Sequence, residues 1–134
     1  MPIPRAEDLV KGVEAVSAQP DEKVVDAVTK MSKYNIGSIP IIDKESRLLG
    51  IFTERDLVHL LATKGIEVLN IELSKVMTKD LVVASREDPV PLIAQKMVKH
   101  GVRHIPVVDT NNKLVGIISI RDVLRIILSG SEWP

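Results

Sequence analysis

The strongest constraint on this chain is that it is written twice. The segment Ile39-Pro40-Ile41-Ile42-Asp43 recurs as Ile105-Pro106-Val107-Val108-Asp109, an offset of 66 residues. Holding that offset without gaps lays residues 16–61 over residues 82–127, and 14 of the 46 pairs are identical, among them Met31/Met97, Gly50/Gly116, Arg55/Arg121 and Asp56/Asp122. Ten of the other pairs exchange one aliphatic for another, such as Leu49/Val115 and Leu60/Ile126. A period this long describes a duplicated unit rather than a solenoid repeat. A unit of about 60 residues buries only about 60% of its unfolded surface and is marginal alone. The duplication therefore implies two copies packed sheet to sheet about a pseudo-two-fold axis, with two related clefts at which small ligands would bind.

Each copy reads as strand, helix, strand, strand, helix. Val24, Val28 and Met31, and in the second copy Val90, Ala94 and Met97, fall at i, i+4, i+7 and predict helices over residues 22–34 and 89–100. Asp88-Pro89 reads as a helix start, with Asp at the cap and Pro in the first helical position. Residues 38–43 and 104–109 are short β-branched runs, each followed by a four-residue polar turn and a second apolar run, which is a hairpin signal. Pro40 and Pro106 have no N–H for a ladder and predict an edge or a place where the backbone stays open. Gly50 and Gly116, inside strands, predict a bulge or a close backbone approach. The last helices start near Thr53 and Ser119, with Leu57, Leu60 and Leu61, or Val123, Ile126 and Ile127, on the buried side. Residues 65–80 contain no Pro- or Ser-rich stretch, so the copies are expected to pack closely. The fold class is α/β (α+β).

Composition removes several functions. The 46 Ile, Val and Leu residues stand against three aromatics, Tyr34, Phe52 and Trp133, so the core is aliphatic and the chain has too few rings for base stacking. Eighteen basic residues balance eighteen acidic ones, against the overall basic charge of a general nucleic-acid binder. Without cysteine there is no disulfide, thiolate metal site or Cys nucleophile. No apolar run reaches the ~20 residues of a membrane span, and Met1-Pro2-Ile3-Pro4-Arg5 lacks a signal peptide's apolar region, so a soluble cytoplasmic protein is expected. His59, His100 and His104 form no metal-ligand spacing, and no Gly-rich phosphate loop precedes a helix. A Ser-His-Asp set from Ser119, His104 and Asp122 is conceivable, yet capping and phosphate contact explain these residues more simply, so no catalytic, metal or resident-cofactor function is expected.

Gly37-Ser38-Ile39-Pro40-Ile41-Ile42-Asp43 followed by Leu49-Gly50-Ile51-Phe52-Thr53-Glu54-Arg55-Asp56 resembles the tandem cystathionine-β-synthase (CBS) domain pair, or Bateman module. Val102-Arg103-His104-Ile105-Pro106-Val107-Val108-Asp109 followed by Val115-Gly116-Ile117-Ile118-Ser119-Ile120-Arg121-Asp122 repeats the resemblance, and Val76-Met77-Thr78 is similar to the family's usual lead-in. The resemblance implies CBS domains at residues 8–64 and 76–130 with a linker at 65–75, a βαββα unit used twice, and a disc-shaped homodimer of pairs. It also implies clefts that hold adenosine ligands such as AMP, ADP, ATP or S-adenosylmethionine, and an effector partner regulated in trans.

Thr53-x-x-Asp56 and Ser119-x-x-Asp122 carry two readings. One is a capping box, with the hydroxyl accepting from the helix backbone and the acid near the positive end of the dipole. The other uses the same place for a ligand: free N–H groups and a hydroxyl for phosphate, and a carboxylate for two ribose hydroxyls. Asp, shorter than the Glu or Gln usual in a reciprocal box, tilts towards the ligand, and in the resemblance this Asp contacts ribose. The copies differ in charge. Residues 16–61 carry six basic and seven acidic residues, net −1, whereas residues 82–127 carry seven and four, net +3. Gly37-Ser38 stands where the second copy has Arg103-His104, and an Arg fork with a His donor suits a phosphate dianion. The same two residues are also ordinary solvated loop residues in a ligand-free reading. Arg55 and Arg121, each one residue before the Asp, can reach a phosphate or form surface ion pairs. Val16, Ile39 and Pro40, with Val82, Val83, Ile105 and Pro106, would border the base. The expectation is an adenine-nucleotide sensor that prefers the second copy. S-adenosylmethionine is the alternative ligand, and a ligand-free dimerisation or docking module is the alternative class.

Overall fold

The computed structural model describes residues 3–10 and 16–130. These divide into two compact units, one spanning residues 16–81 and the other joining residues 3–10 to 82–130. In chain order the elements are α1 (Ala6–Val10), α2 (Val24–Tyr34), β1 (Ser38–Ile42), β2 (Leu48–Thr53), α3 (Glu54–Lys64), β3 (Ala84–Ser85), α4 (Val90–His100), β4 (His104–Val108), β5 (Leu114–Ser119) and α5 (Ile120–Ser129). The result is the mixed α and β architecture expected from the alternation of periods.

In the first unit β1 and β2 pair antiparallel, and Ala18 adds a parallel bridge beside Ile41 while Thr78 bridges Ile51 on the far side. In the second unit β3 runs parallel to β4, which pairs antiparallel with β5. The leading strand of each repeat is thus reduced to one or two residues. The reason lies in the sequence: Pro40 and Pro106 have no N–H to carry the parallel ladder further. Both hairpins carry a register shift at the same place, between Ile41 and Ile42 and between Val107 and Val108.

The helices bury the stripes their periodicity predicts, with Val24, Met31, Val90 and Met97 in the two cores. Two details differ. Helix α4 begins at Val90 with Pro89 as its N-cap, and Asp88 instead accepts hydrogen bonds from the Ser85 N–H (2.9 Å) and Lys96 Nζ (3.4 Å). A residue ahead of the helix is more useful holding the preceding strand than the cap. Leu61 and Ile127 are each 39% exposed, because each lies one residue, about 100°, round the helix from Leu60 or Ile126, which pack against the cores.

Residues 65–75 are a working part of the first unit. They form two short 3₁₀ turns, Ile66–Asn70 and Leu73–Lys75, that insert Val68 and Leu73 fully into its core. Val24 N–H donates to the Ile71 carbonyl (2.9 Å), Leu73 N–H to Glu22 (2.8 Å) and Ser74 N–H to Pro20 (3.0 Å). The second unit solves the same problem with the chain's beginning: Val90 N–H donates to the Pro4 carbonyl (2.9 Å), Ala6 N–H to Asp88 (2.8 Å) and Glu7 N–H to Arg86 (2.9 Å). Each unit therefore covers itself with the segment that precedes the other repeat in sequence. Behind these segments lie the two strand glycines. A Cβ on Gly50 would meet Met77 Sδ at 2.7 Å and the Thr78 carbonyl oxygen at 2.9 Å, and one on Gly116 would meet Val10 Cγ1 at 2.8 Å. Both glycines thus serve a close approach.

The hairpin turns are closed by Asp43 and Asp109. Asp43 Oδ1 accepts from the Glu45 and Arg47 N–H groups, and Asp109 Oδ1 from those of Asn111 and Lys113. The Arg47 and Lys113 backbone donors lead the causes that hold the two carboxyls below the ordinary carboxylate value of 3.8.

Two outcomes follow from this packing. Gly50→Ala and Gly116→Ala should each cost ~1–3 kcal/mol by overpacking, seen as a lower urea midpoint at unchanged slope. Because both turn carboxyls have lowered folded-state pKa values, their contribution is complete above the unfolded carboxylate pKa and is lost as pH falls through the folded value. The Asp43→Asn/Asp109→Asn double variant, which keeps the acceptor oxygens, should therefore be less stable than the wild type near neutral pH. The gap should close in acid, and a gap independent of pH would refute this account.

Candidate functional site

Each repeat ends its hairpin directly in a helix, and that corner gathers the residues singled out from sequence. At the first corner Thr53 caps α3: its N–H donates to Asp56 Oδ2 (2.9 Å) and its Oγ1 accepts from the Asp56 N–H (3.1 Å). At the second, Ser119 N–H donates to Asp122 Oδ2 (2.8 Å) and Ser119 Oγ accepts from the Asp122 N–H (3.2 Å). Asp thus closes a full reciprocal box, and its shortness relative to Glu gives no reason to remove it from capping. The first helical N–H is also committed, from Glu54 to the Gly37 carbonyl (3.0 Å) and from Ile120 to the Arg103 carbonyl (2.8 Å). Among the described residues the N–H groups of Arg55 and Arg121 are left as the unpartnered first-turn donors, so the helix end offers an anion far less than a bare N-terminus would.

What remains for a ligand is side-chain chemistry, and here the corners differ. Asp56 Oδ1 has no partner among the described residues, and the Thr53 hydroxyl keeps its proton undonated. In the second corner Ser119 Oγ also donates to Asp122 Oδ2 (3.0 Å), and Asp122 Oδ1 lies 3.6 Å from Arg125 Nη1. Arg125 is well exposed, so this pair is weak and displaceable. Strand register places Ser38 opposite Thr53 and His104 opposite Ser119. The bonded carbonyl of Arg103 fixes Arg103 and His104 at the mouth of α5, with Arg103 and Arg121 exposed and His104 half-buried. Arg55 is exposed at the equivalent place in the first corner.

The expected base-lining residues fall into two groups. Ile39 and Ile105 are fully buried in the cores of their own units, and Pro40 and Pro106 are buried as well, so these four have only main chain to offer. Val16, Val82 and Val83 are half-buried. In the first unit Ala18 N–H donates to the Pro40 carbonyl (3.0 Å) and Ile42 N–H to the Ala18 carbonyl (2.9 Å). The next donor along this ladder would be Pro40, which has none, so the Val16 carbonyl goes unpaired among the described residues. By the same register, Ala84 beside Val107, Pro106 leaves the Val82 carbonyl unpaired. An unpaired carbonyl beside half-buried aliphatics can read an exocyclic amine on a flat heterocycle.

The sequence reading missed three side chains. Lys30 Nζ reaches the Ser17 carbonyl (3.0 Å) and Glu22 (2.8 Å), and Lys96 Nζ repeats this with the Val83 carbonyl (2.9 Å) and Asp88, pinning the segment before each short strand. The identity of Lys30 and Lys96 at the repeat offset was the available signal. Ser38, opposite Thr53, was legible only through strand register.

Two such corners stand on the two copies of the duplicated unit. Residues 7–63 and 73–129 each match the CBS domain family, and the chain belongs to that family. It is 37% identical over 112 residues, 84% of its length, to the inosine-5'-monophosphate dehydrogenase of Methanocaldococcus jannaschii, of which it covers 21%. It spans between 21% and 65% of the first curated relatives it matches. Among solved structures, the CBS domain pair of protein MJ0100, in complex with 5'-methylthioadenosine and S-adenosyl-L-methionine, superposes with TM-score 0.84 at 28% identity, covering 94% of this chain and 97% of that one. The CBS domain protein PAE2072 of Pyrobaculum aerophilum, complexed with AMP, gives TM-score 0.81 at 25% identity over 94% of this chain and 100% of that one. Among the described residues no helix is long and apolar enough to cross a membrane.

Proposed function

We propose that the chain senses an adenine nucleotide, with AMP the first candidate, at the corner of its second repeat, and acts in trans on a partner protein. The observation that carries this reading is the placement of Arg103 and His104 at the mouth of α5, tied by the Arg103 carbonyl to the Ile120 N–H and by strand register to Ser119. Arg103, His104 and Arg121 bind the phosphate, and Asp122, released from Arg125, accepts from the ribose hydroxyls. The Val82 carbonyl reads the adenine amine, while Val82 and Val83 supply aliphatic walls. AMP in the structure of PAE2072 supports this ligand class. S-adenosylmethionine and 5'-methylthioadenosine, bound by MJ0100, support adenosine recognition without phosphate and remain the competing reading.

We also propose a homodimer. Helix α5 presents Leu124 (48% exposed), Ile127 and Leu128 (64%), and α3 presents Val58 (67%) and Leu61, an apolar display that a second copy of the chain would cover. Ligand binding would then act by favouring one arrangement of the copies, to the extent that affinity differs between arrangements.

A thermal-shift screen against AMP, ADP, ATP, S-adenosylmethionine and NADH tests the ligand. Ligand at 100 times its Kd adds ~2.7 kcal/mol, a rise of several degrees for a protein this small. Asp122→Ala should abolish the AMP shift and Asp56→Ala should leave most of it, each compared with its own ligand-free melt because either change also removes a cap. Equal losses would refute the preference for the second repeat, and no shift with any ligand would sink the sensor reading. Light scattering after size exclusion should give the mass of two chains for the wild type and of one for Leu128→Glu, whereas a monomeric wild type would overturn the dimer.

A further inference from the structure

Helices α3 and α5 hold the same place in their repeats, yet they turn different faces to solvent. No residue of α3 is buried, and it rests on the first core through Leu57 and Leu60. In α5 Val123 is buried and Ile126 packs against the second core. With about 100° between successive residues, Arg55, Val58, His59 and Ala62 stand on the side of α3 away from Leu57 and Leu60, and all four are exposed. The repeat offset puts Arg121, Leu124, Arg125 and Leu128 on the same side of α5, where they too are exposed.

The two faces differ in size and in charge. Leu124 and Leu128, 48% and 64% exposed, stand where α3 has Val58 and Ala62, so the face of α5 is raised where that of α3 is low. The exposed charged residues of α3 and the turn after it, Glu54, Arg55, Lys64 and Glu67, cancel, whereas those of α5 are Arg121 and Arg125. Asp122, the acid of α5, is half-buried and committed to the Ser119 cap. Among the described residues Arg125 pairs with Asp122 Oδ1 alone, at 3.6 Å, and its side chain is 71% exposed. Where α5 has Ile120, α3 carries the exposed acid Glu54.

These differences bear on how two copies of the chain can meet. A contact of α5 with α5 would gather the arginines of both copies around one apolar patch, and like charges set against each other are costly. A contact of α3 with α3 would set small side chains against small ones, and gaps forfeit the dispersion contacts of the atoms that line them. A contact of α5 with α3 sets large side chains on small ones, the arrangement in which two helices interdigitate. It also brings Arg121 and Arg125 to a face that holds Glu54.

We infer that the dimer joins unlike helices, α3 of each copy packing against α5 of the other. In a two-fold dimer one such contact generates its twin, so each chain uses both faces. The inference rests on the homodimer proposed above and adds which surface meets which.

The test is complementation between two full-length variants, Val58→Lys on α3 and Leu128→Glu on α5. Masses are read by light scattering after size exclusion, at a concentration where the wild type has the mass of two chains. Under unlike pairing each variant alone damages both contacts. Its dimer dissociation constant should rise about tenfold per contact, about a hundredfold in all, and leave the mass of one chain. Mixed in equal amounts, with a fused tag marking one of them by mass, the variants should form a mixed dimer. One of its contacts is then wild type, and the other sets the introduced lysine against the introduced glutamate. Pairing of like with like predicts the opposite, since each variant alone keeps one contact whole and the mixture keeps none. Circular dichroism checks that both variants, changed only at exposed positions, are folded. A variant that stays dimeric alone, or the absence of a mixed dimer, would overturn the inference and leave the homodimer standing. A wild type with the mass of one chain would overturn both.

Discussion

The bond from the first N–H of each hairpin-following helix to the carbonyl of residue 37 or 103 is the constraint on which the two hairpin–helix corners depend. It joins three elements at one point: the start of the first hairpin strand, the end of the second and the first turn of the helix. With that N–H committed and the capping box closed, the corner has few degrees of freedom, and whatever occupies positions 37, 38, 103 and 104 is held at the helix mouth. Capping and ligand binding are often weighed as rival explanations of a Thr-x-x-Asp sequence. Here Oδ2 of each Asp closes the cap while Oδ1 takes no part in it, so the cap fixes the carboxylate whose second oxygen a ligand would use.

A second constraint is the incompleteness of each repeat. A sheet of two or three short strands cannot bury a core by itself. Each unit recruits a stretch that precedes the other repeat, Pro4–Glu7 in one case and Ile71–Ser74 in the other, with matching hydrogen bonds. The strand glycines are the local mark of this arrangement, since a side chain there would collide with Met77 or Val10. Proline acts in the opposite sense: by withholding a donor, Pro40 and Pro106 end the parallel ladder and leave a carbonyl open beside the site.

Much of this was legible beforehand because it depends on period and composition. The buried stripe through Val24 and Met31, the hairpins around Asp43 and Asp109, and the helix starts at Thr53 and Ser119 are local events governed by propensity, turn chemistry and capping. Legibility failed where a distant segment intervened. Residues 65–75 read as a connection, and pattern alone did not show that Val68 and Leu73 of this connection are buried in the first unit's core. Ile39 and Ile105 read as candidate walls for a base, yet alternation along the strand turns both into the core. Ser38 was marked only by its offset, as the residue standing where the second repeat has His104, and its cross-strand neighbour Thr53 came from strand register.

The sequence by itself determined that there are two corners and that they carry different charge, because duplication and side-chain identity are properties of the chain alone. It determined the aliphatic core for the same reason. Tertiary structure decided which groups at those corners are still unsatisfied: which carboxylate oxygen the cap consumes, which hydroxyl has already donated its proton, which carbonyl proline leaves unpaired. These are questions of register and packing, and a hydrogen bond between residues far apart in sequence has no counterpart in local pattern.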